Sequence, residues 1–203
     1  VWWPLVEDYL AWIDPARPVW AQLDWLLLGI FAAMTLLIMA DANLRRDARI
    51  VAIGVAGGLV IESWGTRTGL WSYFTHERPP LWILPAWPIA SLAIDRLTRI
   101  LDRLLPEAKR AFHVAYGVAF ASFYGLLLYF VRPTLAEPLT LMVLVLCAIL
   151  ILTPSGRRTA VLTFAAGSAL GYFLEWWGTT RACWTYYTLQ TPPLFAVLAH
   201  GMA

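Results

Sequence analysis

The chain has 203 residues, 60% hydrophobic and 14% charged, with a mean hydropathy of +0.65 and a net charge of +2. Soluble domains carry about 25% charged residues, which excludes that class and leaves an integral membrane protein. So small a net charge gives no reason to expect a nucleic-acid partner, and two cysteines without paired spacing, Cys147 and Cys183, give none to expect a disulfide framework.

The opening VWWPLVEDYLAWIDPARPVW interleaves Trp and Leu with acids. Residues 1–21 read as an amphipathic helix lying in the outer membrane interface. Apolar runs of spanning length follow at 22–40, 48–63, 81–97, 111–131, 138–153 and 159–175, and a seventh begins at 192. The second run, GVAGGLVIE, carries Gly54, Gly58 and Glu62 on one helix face. The third, LWILPAWPIASLAIDRL, contains two prolines, so a broken or re-entrant helix stands beside a plain span there. The sixth ends GSALGYFLE, with Gly167, Gly171 and Glu175 in the same spacing. The last stretch, PPLFAVLAHGMA, reaches only about 18 Å as a helix, short of the ~30 Å hydrocarbon core. It also follows a chain that starts without Met, so residues beyond both ends are expected.

Basic residues orient the spans. Arg45, Arg46 and Arg49 follow the first; Arg96, Arg99, Arg103, Lys109 and Arg110 follow the third; Arg157 and Arg158 follow the fifth. Placing these inside gives an N-out, multi-pass protein of the cytoplasmic membrane, and all twelve Trp then fall at the outer interface as an aromatic belt.

VIESWGTRTGLWSYFTHERPPL (60–81) recurs as FLEWWGTTRACWTYYTLQTPPL (173–194) at a constant offset of 113. Glu62 falls on Glu175, Trp64 on Trp177, Gly65-Thr66 on Gly178-Thr179, Trp71 on Trp184 and Tyr73 on Tyr186. The apolar pattern of 24–41 also matches that of 137–154. The expected fold is all-α: about seven transmembrane helices in one membrane domain, with two parallel three-helix repeats joined by a connector helix. Repeat 1 is 22–97, the cytoplasmic amphipathic segment and connector 98–136, and repeat 2 137–203, its third span cut short. Small-xxx-small spacing predicts that spans two and six cross at Gly54, Gly58, Gly167 and Gly171.

Such a crossing brings Glu62 and Glu175 together near the outer interface. Two carboxylates in one poorly solvated site cannot both ionise easily, and a shared proton suits acid–base catalysis. The alternative is that each caps a helix end or pairs with a nearby arginine, Glu62 with Arg67 and Glu175 with Arg181. A His76–Glu77 metal pair is a weaker candidate, since no partner cluster accompanies it. His113 reads as interfacial, and His200 falls at the position equivalent to Trp87.

GGLVIESWGTRTGLWSYFTHERPPLWILPAWPIA resembles the carotenoid-biosynthesis membrane proteins that include the bacterial and archaeal carotenoid hydratases. The matching positions are Glu62, Gly65, Gly69, Trp71, Tyr73 and Pro85 to Pro88, over about 35 residues. The second copy departs from the pattern, with Ala182 where glycine is expected. The resemblance implies a lyase that adds water across a terminal C=C of an isoprenoid, without a redox cofactor, and a membrane lipid or carotenoid as ligand. Glu62 and Glu175 would then be catalytic. Trp64, Trp71, Tyr73, Trp177, Trp184 and Tyr186 would line the substrate slot, their rings stabilising a developing cation. The competing reading is a non-catalytic small subunit that packs on other membrane subunits through its Trp-rich outer face.

Overall fold

The computed structural model describes Glu7 and residues 10–202. Trp2, Trp3 and the rest of residues 1–6, with 8 and 9, lie outside the described residues; of the remaining expected N-terminal amphipathic segment, residues 12–18 are turn and loop, so one continuous helix over 1–21 is not formed. A helical turn at Val19–Gln22 precedes seven helices: α1 (Trp25–Met39), α2 (Leu44–Arg67), α3 (Ala86–Leu104), α4 (Lys109–Phe130), α5 (Pro138–Leu152), α6 (Arg157–Thr180) and α7 (Leu194–Ala199). The last runs into a 3-10 turn, His200–Met202. The fold is helical, and α2 and α4 are long and apolar enough to cross a membrane. Helices α1 and α5 are equally greasy but 15 residues long, roughly 22 Å.

Local chemistry sets the boundaries. Asp24 caps α1 by accepting the Leu27 N–H, and Asn43 caps α2 by accepting that of Arg46. Pro85 and Pro88 stand at the N-cap and first turn of α3, where a missing N–H costs nothing. The third run is therefore not a plain span over 81–97. Residues 81–85 are turns, and the helix continues to Leu104, past the expected boundary at 97.

Helix α3 packs against α2, α6 and α1, while α6 also carries α7 and α4. The expected crossing of spans two and six is not formed; α2 and α6 make at most a marginal contact. The glycine faces serve the next helix of the chain instead. A Cβ on Gly54 would stand 2.9 Å from Pro88 Cα, and one on Gly58 would stand 2.3 Å from the Trp87 ring. Gly167 and Gly171 meet His200 in the same way, at 2.2 and 2.6 Å. Backbones must approach this closely because Trp87 and His200 reach across the face toward the glutamates.

The two ends of the bundle differ in chemistry. At one, Arg96 is 2% exposed and donates to Ala40 O, Asp95 and Asp47 at 3.0, 2.7 and 2.6 Å. Arg99 and Arg103 reach Asp41, and Arg158 reaches Asp102. At the other end, the two aromatic loops form a two-stranded antiparallel sheet, β1 (Trp71–Tyr73) and β2 (Trp184–Tyr186), which the all-α expectation did not include. Trp71 lies opposite Tyr186 and Tyr73 opposite Trp184. Between the ends, α1 buries only Ile30 and Met34, and α5 only Thr140 and Leu144. Phe31, Leu36, Met142 and Val145 face outward, while Leu37, Ile38, Val143 and Ile151 are partly buried against the core.

Contacts recur at the offset of 113. Phe74 N–H donates to Cys183 O and Tyr187 N–H to Leu70 O. Trp64 donates to Thr140 on α5, and Trp177 to Asp24 before α1. Thr66 and Thr179 return their hydroxyls to the carbonyls of Glu62 and Glu175. Arg78-Pro79 and Thr191-Pro192 are both cis.

Candidate functional site

Each strand alternates buried and exposed residues, so the aromatic rings of W-S-Y and W-T-Y point to one side. That side faces the end of the helix before it. Space for the first ring comes from a glycine: a Cβ on Gly65 would lie 1.9 Å from the Trp71 ring, and one on Gly178 would lie 2.0 Å from the Trp184 ring.

Glu62 is 3% exposed and Glu175 5%, and each carboxylate accepts from three donors. Glu62 takes Trp71 Nε1 at 3.1 Å, Tyr73 Oη at 2.8 Å and Trp87 Nε1 at 3.1 Å. Glu175 takes Trp184 Nε1 at 2.9 Å, Tyr186 Oη at 2.9 Å and His200 Nε2 at 3.1 Å. A buried carboxylate without such partners would be prohibitively costly; bonds to a charged acceptor are worth about 1.5–3 kcal/mol each.

The two cradles touch. Trp71 packs against Tyr186 and Tyr73 against Trp184, both at 5.9 Å between centroids. Trp87 stacks on His200 at 6.0 Å and 14°. Burial first, and then the adjacent carboxylate, hold the Tyr73 and Tyr186 phenols well above their ordinary value of 10.0, so both stay donors.

Of the six residues expected to line a slot, Trp71, Tyr73, Trp184 and Tyr186 bond the carboxylates. Trp64 and Trp177 turn away, toward Thr140 and Asp24, and touch the cradles only edge-on. The expected arginine pairs are not formed. Arg181 binds Asp24 at 2.8 Å rather than Glu175, and the partners of Glu62 are aromatic. Both carboxylates lie buried beneath these rings. Trp87 and His200 are the donors to which sequence reasoning assigned no role. Their shared offset, 25 residues after each glutamate, was the available signal.

Comparison of the chain with protein-family models, with curated proteins and with solved structures returns no match. The functional reading therefore rests on the site itself.

Proposed function

We propose that the chain is a multi-pass protein of the cytoplasmic membrane that protonates and hydrates a terminal C=C of an isoprenoid-like lipid. Its two three-helix repeats, 22–97 and 137–203, are related by a two-fold axis along the membrane normal. The reciprocal bonds at offset 113 support that symmetry, and the outward apolar faces of α1 and α5 support immersion in lipid.

One observation carries the chemistry: the third donor is an indole in the first cradle and an imidazole in the second. An indole N–H is not an acid–base group, whereas an imidazole is one. The Glu175–His200 pair is thus the acid–base unit, and Glu62, held by three donors that carry no exchangeable acid–base proton at neutral pH, lies beside it. A carboxyl proton on Glu175 passes to the terminal alkene carbon. Water adds to the resulting cation and returns its proton to the pair, so atoms and charge balance. The rings over the site must part to admit the substrate.

The test is oxygen-isotope incorporation from labelled water into a terminally unsaturated polyene by the purified protein. Glu175→Gln and His200→Trp should each abolish incorporation while the protein stays folded. Full turnover in either variant rejects the assignment.

The subunit reading keeps one specific support: Trp12, Trp20 and Trp25 are 87%, 66% and 62% exposed. Their protection by another polypeptide in the native membrane, with no turnover, would favour it.

A further inference from the structure

At the charged end, away from the cradles, two cavities adjoin. One, of about 610 Å³, is lined by Lys109, His113, Arg157 and Arg158, with Glu107 the single carboxylate and Phe112 and Leu152 beneath. The other, of about 330 Å³, is an apolar groove between α4 and α5 lined by Tyr116, Gly117, Phe120, Tyr124, Ala148 and Ile151. Leu152 belongs to both, so the groove continues the basic pocket along the helices.

We infer that this composite site binds one phospholipid with an anionic headgroup, its phosphate in the basic pocket and an acyl chain in the groove. The inference rests on the membrane placement proposed above, but on none of the residues of the cradles. Charge complementarity selects the headgroup. Lys109 and Arg157 face the one carboxylate of the lining, Glu107, while Arg158 is paired with Asp102, and Lys109 makes no ion pair among the described residues. Arg157 is held in place by His113 and by the Tyr116 ring, 5.9 Å from its guanidinium. Arg158 is anchored by Asp102 and by the carbonyls of Leu105 and Pro106, and lies over Phe112 at 4.8 Å. Both guanidinium groups are thus pre-positioned at the rim. Helices α4 and α6 begin beside the pocket, and neither has a side-chain cap, which adds two partly positive helix ends. The groove suits a chain rather than a side chain of the fold. A Cβ on Gly117 would meet nothing within 4 Å. Its walls are aromatic and aliphatic, with almost no polar surface.

Native mass spectrometry of the full chain in a nonionic detergent tests this, with dioleoylphosphatidylglycerol, dioleoylphosphatidylcholine or inorganic phosphate added separately. A one-to-one phosphatidylglycerol adduct should form and outlast the phosphatidylcholine adduct. Lys109→Gln and Arg157→Gln should each weaken it about fivefold, the usual contribution of one cation facing anionic lipid. Gly117→Leu, which puts a side chain into the groove where an added Cβ has open space, should weaken the lipid adduct and leave any phosphate adduct unchanged. Equal retention of the two lipids, or wild-type lipid binding by Gly117→Leu, overturns the proposal. Displacement of the lipid by equimolar phosphate makes this a site for a soluble anion and overturns it too. Resistance of the chain to alkaline extraction from membranes reads the membrane placement independently. Unchanged lipid binding by Glu175→Gln separates this site from the hydratase chemistry.

Discussion

Ala182 occupies a left-handed backbone position, φ 53°, at the point where the first copy has Gly69 at φ 73°. A side chain there costs about 1–2 kcal/mol, so the departure from the glycine pattern is a local strain that the rest of the loop holds. Ala182→Gly should raise stability by about 1 kcal/mol, and Gly69→Ala, with open space around it, should lower it by a similar amount; unfolding in detergent measures both. Gly65→Ala should be far worse. The added carbon meets Trp71, which Trp64 and Tyr186 back on other sides, so the ring cannot yield and its bond to Glu62 is lost. A cost of roughly 3 kcal/mol or more, with a shift in tryptophan emission, is expected. Much of the cradle was legible in the sequence, because Glu62, Trp71 and Tyr73 recur together at one offset. Trp87 and His200 were visible as equivalent positions but not as donors. Their role depends on α3 and the end of α7 folding back onto the glycine faces, which sequence spacing alone does not specify.

At the level of elements, Asp24 joins α1 to α6: it caps α1, accepts from Trp177 on α6 at 2.8 Å, and pairs with Arg181 at the C-cap of α6. Burial pushes its carboxyl up, and the bonds from Arg181, Leu27 and Trp177 outweigh that, holding it below its ordinary value of 3.8. A carboxyl depressed by folding stabilises the fold above the unfolded value and loses that contribution as the pH falls through the folded one. Stability should therefore be level down to about pH 4 and drop below it. Asp24→Asn should flatten this acid limb, with thermal midpoints between pH 3 and 7 as the measurement. The elements most easily read from sequence were the apolar helices, whose positions survive as α1, α2, α4, α5 and α6, although α2 and α6 extend past the apolar runs to 24 residues each and α1 is shorter than its run. The strands were missed although W-S-Y and W-T-Y alternate, since three residues give too short a period to count. The glycine spacing was read correctly as a close-packing face, but small-xxx-small spacing does not say which helix will use it.

On the scale of the whole molecule, arginine–aspartate networks close one end and aromatic carboxylate cradles the other. If the charged end is cytoplasmic, a membrane-impermeant maleimide should label a cysteine placed at Glu77 in intact cells, and one placed at Glu107 only after permeabilisation, in a background lacking Cys147 and Cys183. The reverse pattern inverts the topology. The β1–β2 pairing has a further consequence. Among the described residues each strand finds its only sheet partner in the other half of the chain, and the Trp64–Thr140 and Trp177–Asp24 bonds cross between halves in both directions. Neither half alone satisfies its strand or the indole of Trp64 or Trp177, so the two halves are expected to fold only together. Severed between α3 and α4, the fragments should be insoluble apart and should reassociate when co-expressed. A lesion in either fragment should then be rescued only by an intact copy of that same half, never by a second copy of its counterpart.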